Sequence, residues 1–438
     1  MSLIMFFTKK IAIKSIQTLF VCTIATHTLA TPSLELNWPQ AIELTLSKNP
    51  TLNSFRYELE KQEGVILEAK QTPAAHINIE LEDVLGSGET QGFNALQSTL
   101  SVSWILEGEL RQHFIRVSQA GYAQLTSSLQ LQQLNAIEET TQRYIMVLAH
   151  QARLQNADEA LSLADEGIAA IKKRVRAAKS PEAELFRTQV TREQHRLQRE
   201  DIQHELDSAL HALAAQWGEL KPQFQRVTGA INDIPAIKPL EQLRTELTQS
   251  AQYNRFRSER TLKHTQLQLA KAQSTPNWEI EVGIRNIEST HDQAFVGSLR
   301  IPFGRITNNK GRILQAQSEL AQIDAKESAL HVQAQTSLFL LYQELQHSLH
   351  RIESYQTRII PQLENALKAT KRAYDLGRYS YLEWQTVQTE TLLFLSTPNA
   401  SHSTQLTFLG TRIFKVVPLK ESSKESSTLY LKSSPFAA

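Results

Sequence analysis

The chain has 438 residues, enough for two or three globular domains, and a formal net charge of +1. A charge this balanced implies neither a nucleic-acid partner nor an acidic tail. A hydrophobic share of 41% with a mean hydropathy of −0.33 excludes a bundle of transmembrane helices. Glycine (15) and proline (14) are scarce, which favours long helices.

Residues 1–30 have the pattern of an export signal. Three lysines between residues 9 and 14 precede a mostly apolar stretch, and the sequence before Ala30 resembles a cleavage site. Cleavage there would remove Cys22, the only cysteine, so the mature chain should have no disulfide and no cysteine metal site. Lipid attachment at Cys22 is not expected, because the preceding Val21 is not a small residue.

Two helices are predicted before the first strands. The first begins at Trp38-Pro39, because proline is tolerated in the first turn of a helix. Asn49-Pro50 interrupts it, and a second helix is predicted to run to about Lys70, before Pro73.

A hairpin is predicted at 76–106, because two stretches in it alternate apolar and polar residues with a period of two. Each stretch has about nine residues, the length of a tilted strand that crosses a bilayer. Alternation with apolar residues outside and polar residues inside is typical of a membrane barrel. An ordinary hairpin on a soluble helical protein is the other interpretation. The alternating apolar residues are Ile77, Ile79 and Leu81, then Leu100, Val102, Trp104 and Leu106.

Long helices are predicted at 111–178 and 182–217, on either side of Lys179-Ser180-Pro181. The first would be a rod of about 100 Å, at 1.5 Å per residue. Its apolar residues keep the alternating spacing of a coiled coil. The residues expected to pack the returning helix are Leu185, Val190, Leu197, Ile202, Leu206 and Leu213.

The same order of elements recurs, which divides the chain into repeats at 31–230 and 231–395. The second repeat has a helix from about Leu240, a hairpin at 278–303 and a long helix at 311–376. Pro361 should kink that helix. A turn and a returning helix from Tyr381 follow. The alternating apolar residues of the second hairpin are Trp278, Ile280, Val282 and Ile284, then Phe295, Leu299, Ile301 and Phe303.

The chain resembles the TolC family of outer-membrane efflux proteins over about residues 34–394. The resemblance rests on the two hairpins, on Ala41-Ile42-Glu43-Leu44 with Asn49-Pro50, and on the segment from Ala373 to Glu383. Glu80-Leu81-Glu82-Asp83 and Ile301-Pro302-Phe303-Gly304-Arg305 are most similar to the branch that serves cobalt–zinc–cadmium efflux pumps.

This resemblance implies a mainly α fold with a small β part: a homotrimer whose shared twelve-stranded transmembrane β-barrel continues as a periplasmic α-helical tunnel. It agrees with the strand pattern, because four strands cannot close a barrel and lipid does not tolerate open edges. The implied function is passive export of heavy-metal cations through the outer membrane, with a periplasmic adaptor and an inner-membrane pump of the RND type as partners. A soluble periplasmic coiled-coil adaptor or scaffold is the alternative, but it should also contain a glycine-marked lipoyl-like β domain.

The resemblance also assigns roles to individual residues. The turns between long helices would contact the adaptor, and only the second has the expected glycine. Asp375 would narrow the tunnel mouth and attract cations, unless it is an ordinary solvated helix end. Aromatic residues at strand ends would anchor the barrel at the membrane interface, unless they pack in a core. The tip residues are Lys179, Ser180, Leu376, Gly377, Arg378 and Ser380, and the aromatic residues are Trp104, Trp278 and Phe303.

No enzyme, cofactor or nucleic-acid function is expected, because no nucleotide loop, nucleophile elbow or zinc-hydrolase motif is present. His347 and His350 lie near Glu344 at a spacing that can bind metal, but a solvated helix face is the commoner meaning. Glu288 and His291-Asp292 would contact cations only casually. No metal site is therefore predicted.

The end of the chain departs from the repeat. The helix from Tyr381 should run about 35 residues, but Ser396-Thr397-Pro398-Asn399 breaks it after about 15. Residues 396–438 resemble an altered reading frame or a decayed gene end; a natural disordered tail is the alternative. The long helix before it should then lose its neighbour and the trimer assemble weakly. The apolar residues expected to be exposed or poorly packed are Leu338, Leu341 and Leu345.

Overall fold

A computed structural model of the chain describes residues 35–229, 238–274, 277–302 and 309–397, excluding the side chains of 392–397. The predicted signal peptide at 1–30 therefore lies outside the described residues. So do Phe303 and nearly all of the predicted tail.

The first half consists of helices with a hairpin between them. Short 3₁₀ helices lie at Gly88–Thr90 and Ala215–Trp217. In chain order the elements are β1 (Glu35–Leu36), α1 (Trp38–Lys48), α2 (Pro50–Lys70), β2 (His76–Glu82), β3 (Gln97–Leu106), α3 (Leu110–Arg176), α4 (Glu182–Ala214) and β4 (Arg226–Val227).

The second half has the same kinds of elements, so the chain is mainly α with a small β part, as predicted. The single helix expected from Leu240 is two helices. The elements are α5 (Leu240–Leu247), α6 (Ala251–Ala272), β5 (Trp278–Ile287), β6 (Asp292–Arg300), α7 (Lys310–Ser354), α8 (Ile360–Asp375) and α9 (Tyr381–Thr397).

The break between α1 and α2 is built by asparagine side chains. Asn37 begins α1 with a capping box, in which its side chain and that of Gln40 each accept the other residue's backbone N–H. The Asn49 side chain accepts the first free N–H groups of α2. It also donates to the carbonyl of Gln216 at 2.7 Å, which ties this corner to the end of the returning helix.

The long helix predicted at 311–376 is interrupted by a π-turn at Tyr355–Ile359. Pro361, just beyond it, has no N–H with which to continue the α-helical ladder. The Ile360 N–H instead donates to the carbonyl of Tyr355, five residues back. The disturbance predicted at Pro361 thus takes the form of an i→i+5 turn that separates α7 from α8.

The two hairpins form one antiparallel sheet in the order β2-β3-β5-β6. Strands β3 and β5 join the halves, with Trp104 opposite Ile280 and Leu106 opposite Trp278. At the other end Gln97 lies opposite Ile287, so both hairpin turns are at the same end of the sheet. The two hairpins therefore lie side by side, as strands of one shared barrel would have to. Strands β2 and β6 are the edges.

A second, two-stranded sheet was not predicted from the sequence. Its strands β1 and β4 are parallel and two residues long. The Tyr144 hydroxyl lies 3.0 Å from the carbonyl of Leu36. The Gln151 side chain donates to the carbonyl of Val227 at 3.1 Å and accepts its N–H at 3.0 Å. Helix α3 therefore holds both strands through side chains, which a search for alternating residues cannot detect.

The prediction for the upper part of the long helix is wrong, because Leu338 and Leu345 are buried and Leu341 packs against the same cluster. The short helices α5 and α6 cover this face of α7. The sequence pattern identifies the apolar face of α7 but does not specify that α5 and α6 supply its partners. The residues they supply are Leu243, Leu247, Tyr253 and Phe256.

Two of the residues expected to pack α4 are also placed differently. Val190 and Leu197 are exposed, whereas Ile202, Leu206 and Leu213 are buried. In the middle of the α3–α4 pair, small residues such as Ala164 are buried instead. The helices are linked there by exposed ion pairs, Arg192 with Asp165 and Arg199 with Asp158.

Candidate functional site

The four-stranded sheet is inverted relative to a sheet of a water-soluble domain. Its apolar face is open, with Ile79 73% and Phe295 92% exposed. Its polar face is closed, with Ser101 only 4% and Ser103 only 2% exposed. A sheet with one solvated face normally buries its apolar side chains and exposes the polar ones.

A carboxylate closes the polar face over the small residues of β3. Glu281 on β5 accepts hydrogen bonds from Asn78 on β2 at 3.2 Å, from Ser298 on β6 at 3.2 Å and from the Ser101 hydroxyl. One side chain thus links all four strands. Gly283 lies beside it, and a Cβ there would be 2.6 Å from the Leu100 carbonyl oxygen, so the strands approach closely.

An arginine forms a second link on the same face. Arg285 pairs with Glu82 at 2.9 Å and donates to Thr99 at 2.9 Å and to Gln97 at 3.2 Å. Paired charges of this kind suit a surface in contact with water but shielded from lipid. The alternation of charged and apolar residues in 278–285 was visible in the sequence, but the partners were not.

The predicted interface aromatics lie on the open apolar face. Trp104 and Trp278 are both partly exposed, at the end of the sheet away from the hairpin turns. Neither belongs to a buried core cluster within the part of the chain that the structure describes. Phe303, the third predicted aromatic, lies outside the described residues.

The two turns between long helices have the same backbone geometry, although only the second contains glycine. At the first turn, Ala178 has φ 54° and Lys179 N–H donates to the carbonyl of Arg174 at 2.8 Å. At the second, Gly377 has φ 72° and Arg378 N–H donates to the carbonyl five residues back at 2.9 Å. Both are Schellman motifs. The first turn thus has the same backbone geometry without a glycine, because Ala178 adopts the left-handed conformation.

An aromatic cluster brings the two turns together. Tyr381 on α9 lies against Gly167 on α3, where a Cβ would be 1.9 Å from the tyrosine oxygen. Tyr374 stacks on Trp384 at 5.1 Å between ring centroids, and the Arg174 guanidinium lies 4.8 Å from the centre of the Tyr374 ring. Burial raises the pKa of the Tyr381 hydroxyl to about 12, so it stays neutral. The second half is thus fastened to the first.

Among the predicted tip residues, the Ser380 side chain forms hydrogen bonds with Glu383, whereas the side chains of several others are exposed. The Ser380 hydroxyl and N–H both donate to Glu383, which starts α9 as a capping box and lowers the pKa of that carboxyl. Leu376 and Arg378 are exposed, as is Lys179. Asp375, the predicted mouth carboxylate, is an exposed residue at the end of α8.

No group of three or more potential metal ligands is arranged to hold an ion in residues 35–229, 238–274, 277–302 and 309–397. His347 and His350 are exposed on α7. An open groove of about 640 Å³ between α3 and α4 is lined by His150 and Glu205, among others. Within the described helices, none is long and apolar enough to cross a membrane.

Comparison with known proteins is consistent with this geometry. No family model matches the chain. The cobalt-zinc-cadmium resistance protein CzcC of Cupriavidus metallidurans is 22% identical over 349 residues, which cover 78% of this chain and 81% of CzcC. The resemblance predicted from the sequence, to the TolC family and its cobalt–zinc–cadmium branch, is confirmed.

Solved structures of membrane channels share the fold. CusC superposes with a TM-score of 0.68 and 17% identity, over 88% of this chain and 93% of CusC. The outer membrane protein VceC from Vibrio cholerae has a TM-score of 0.67 and 16% identity, over 86% of this chain and 95% of VceC. The element order described above therefore belongs to a known fold.

Proposed function

We propose that the chain is one subunit of an outer-membrane export channel, in which three copies share a twelve-stranded barrel. The observation that carries the proposal is the inverted sheet. An apolar face that is open along four strands is stable against lipid and unfavourable against water. The polar face, with Glu281 and Arg285, would line the lumen.

The dimensions and edges of the sheet support this assignment. The ten residues of β5 span about 33 Å, which a tilt of about 40° reduces to the height of about 25 Å of the apolar band of a barrel. The edge strands β2 and β6 have unpaired backbone groups that lipid would not tolerate. Pairing β2 of one copy with β6 of the next would remove both edges.

The cargo we propose is heavy-metal cations, from the similarity to a cobalt-zinc-cadmium resistance protein. A passive duct needs no tight ion site, and His347 and His350 lie exposed on the surface of α7. A periplasmic adaptor docked on the two tip turns, and an inner-membrane pump of the RND type, would supply the energy. Most of the mass would lie in the periplasm.

The alternative, a soluble periplasmic adaptor or scaffold, accounts for the long helical hairpins. It does not account for the sheet, because an adaptor would expose Ile79 and Phe295 to water on a continuous apolar face. The two sheets of the described residues are also the inverted one and a pair of two-residue strands, neither of which is a lipoyl-like domain.

Two adjacent residues on opposite faces of β6 provide the test. Phe295→Arg would place a charge in lipid, at a cost of up to about 4 kcal/mol depending on depth, whereas Val296→Arg would face the lumen. We expect purified wild-type protein and Val296→Arg to form conducting pores in planar bilayers, and Phe295→Arg to insert poorly. A water-soluble Phe295→Arg variant that behaves like wild type, with no conductance from either, would contradict the proposal.

A further inference from the structure

The end of the molecule that carries both tip turns is strongly basic. This tip end comprises residues 171–187 and 368–383, which contain ten basic and four acidic side chains. Its formal charge is +6, whereas the whole chain carries +1. The exposed bases are Lys172, Lys173, Arg176, Lys179, Arg187, Lys368, Lys371, Arg372 and Arg378.

These charges are not neutralised within the molecule. None of the nine exposed bases forms an ion pair in the part of the chain that the structure describes. Among the acidic residues of the tip end, Glu383 is already bound to the Ser380 cap. Bases in the last turn of a helix are expected, because they offset the helix dipole. That reason covers Lys173 and Arg372, but not Lys179 or Arg378, which lie beyond the helices.

The repeat places a base at the same position of both turns. Lys179 and Arg378 each follow the left-handed residue of a Schellman motif, so the same backbone geometry presents both. Because Tyr381 packs on Gly167, the two turns belong to one surface. Large apolar side chains stand exposed around them, namely Phe186, Leu376, Tyr379 and Leu382.

We infer that the tip end binds the acidic end of a helical hairpin of another protein, with apolar side chains of that hairpin meeting Leu376 and Tyr379. This inference rests on the proposed function and names the chemistry of the adaptor's docking surface. Complementary charge speeds encounter and selects the partner, and the apolar contacts hold it. Asp375 lies within this basic surface, so its carboxylate is outnumbered by cations at the tunnel mouth.

An anionic membrane surface is the other source of negative charge. A segment that lies in a membrane interface collects its apolar residues on one face of a helix. At the tip end, the exposed apolar residues are divided between the start of α4, a turn and the start of α9. This distribution fits a shaped protein surface better than a bilayer, and vesicles form a separate arm of the experiment.

The experiment uses the full chain in nanodiscs and a synthetic antiparallel helical hairpin with glutamates at its end. A second hairpin with glutamine at the same positions is the matched probe. We expect the glutamate hairpin to bind at least about tenfold more tightly than the glutamine hairpin, with the difference shrinking as salt is raised. The double variant Lys179→Glu with Arg378→Glu should abolish the difference. Lys221→Glu, an exposed base away from the tip end, should not.

Two results would overturn the inference. One is an equal affinity for both hairpins, including no detectable binding of either. The other is binding of the wild type to vesicles of phosphatidylethanolamine with phosphatidylglycerol at least as strong as to the glutamate hairpin. Pore conductance of the double variant is measured in parallel. If the double variant loses hairpin binding but still conducts, the change affects the tip end alone. If the wild type does not conduct, the result contradicts the proposed function.

Discussion

The two halves of the chain have the same elements but bury their long helices in different ways. In the first half, α4 returns along α3 for 33 residues and packs Leu206, Leu210 and Leu213 against Tyr144 and Val147. In the second half, the returning helix α9 is described over 17 residues, through Thr397. In the described residues, α5 and α6, which precede the second hairpin, pack their apolar side chains on residues 330–345 of α7.

The difference lies in the composition of those short helices. Helix α5 presents Leu243 and Leu247 to α7, where α1 presents the smaller Ala41 and Thr45 to α3. Both short helices thus pack on the long helix of their own half, but α5 does so through two leucines. A repeated element order therefore does not imply that each half buries its core with the same partners.

The largest expected effect tests whether α7 is covered. Leu338→Ala should lower the free energy of unfolding by about 2–5 kcal/mol, because Leu338 is fully buried and the substitution leaves a cavity. Leu213→Ala is the counterpart in the first half and should cost a similar amount. Leu340 lies on α7 like Leu338 but is 61% exposed, so Leu340→Ala should change the free energy of unfolding by less than about 0.5 kcal/mol. Denaturant titration measures all three, and equal effects of the two α7 variants would show that this face is open.

The next effect concerns the strand pair that joins the halves. Gly283→Ala should cost about 1–3 kcal/mol, because the added Cβ meets backbone and the Ser101 side chain at 2.6 Å. Gly297→Ala on the next strand meets nothing closer than 3.9 Å and serves as the control. Thermal unfolding in detergent compares them. If both variants melt together with the wild type, β3 and β5 are not this closely packed.

A smaller effect separates the two turns. Gly377→Ala should destabilise by about 1 kcal/mol, because alanine is strained at φ 72°. Ala178→Gly should stabilise slightly, because it relieves the same strain at φ 54°, although the added freedom of the unfolded chain offsets part of the gain. We therefore expect the two variants to shift the free energy of unfolding, measured by denaturant titration, in opposite directions. The same sign for both would mean that the turns differ in backbone geometry.

The smallest effect is a pH dependence built into the first half. Burial, followed by repulsion from Arg153, lowers the pKa of His150 below its ordinary value of 6.5, and Glu205 opposes this. The unfolded chain then binds a proton more readily than the folded one, so stability falls as the pH drops below about 6.5. His150→Gln should reduce this fall and differ little from wild type at pH 8. Identical slopes of stability against pH in the two proteins would exclude the contribution.

The features predicted best from the sequence depend on local chemistry. The Asn49-Pro50 break follows from a cap and a missing N–H. The strands around Ile280 and Leu100 follow from alternation, which survives whatever they pair with. Both turns were predicted, but glycine marked the left-handed residue only at Gly377, because the alanine at the equivalent position, Ala178, carries no such signal.

The errors in the predicted packing concern which faces meet. Val190 and Leu197 have the spacing of packing residues, yet they are exposed, because the α3–α4 pair is closed there by alanines and ion pairs. Leu338 was expected to be exposed because the returning helix was predicted to be short, yet Leu338 is buried with residues of α5 and α6. Periodicity identifies an apolar face and does not specify its partner.

By itself, the sequence determined the lengths of the rods, the existence of four alternating strands and the duplication, since each depends on spacing within one segment. Only the tertiary structure decided that β3 pairs with β5, that Tyr381 rests on Gly167, and that the polar side of the sheet is closed by Glu281. These contacts join residues more than 100 positions apart, and their geometry depends on the packing of the whole helical body. The inverted sheet has the same alternation as an ordinary one. Which of its faces is open therefore became visible only when the exposure of each face was known.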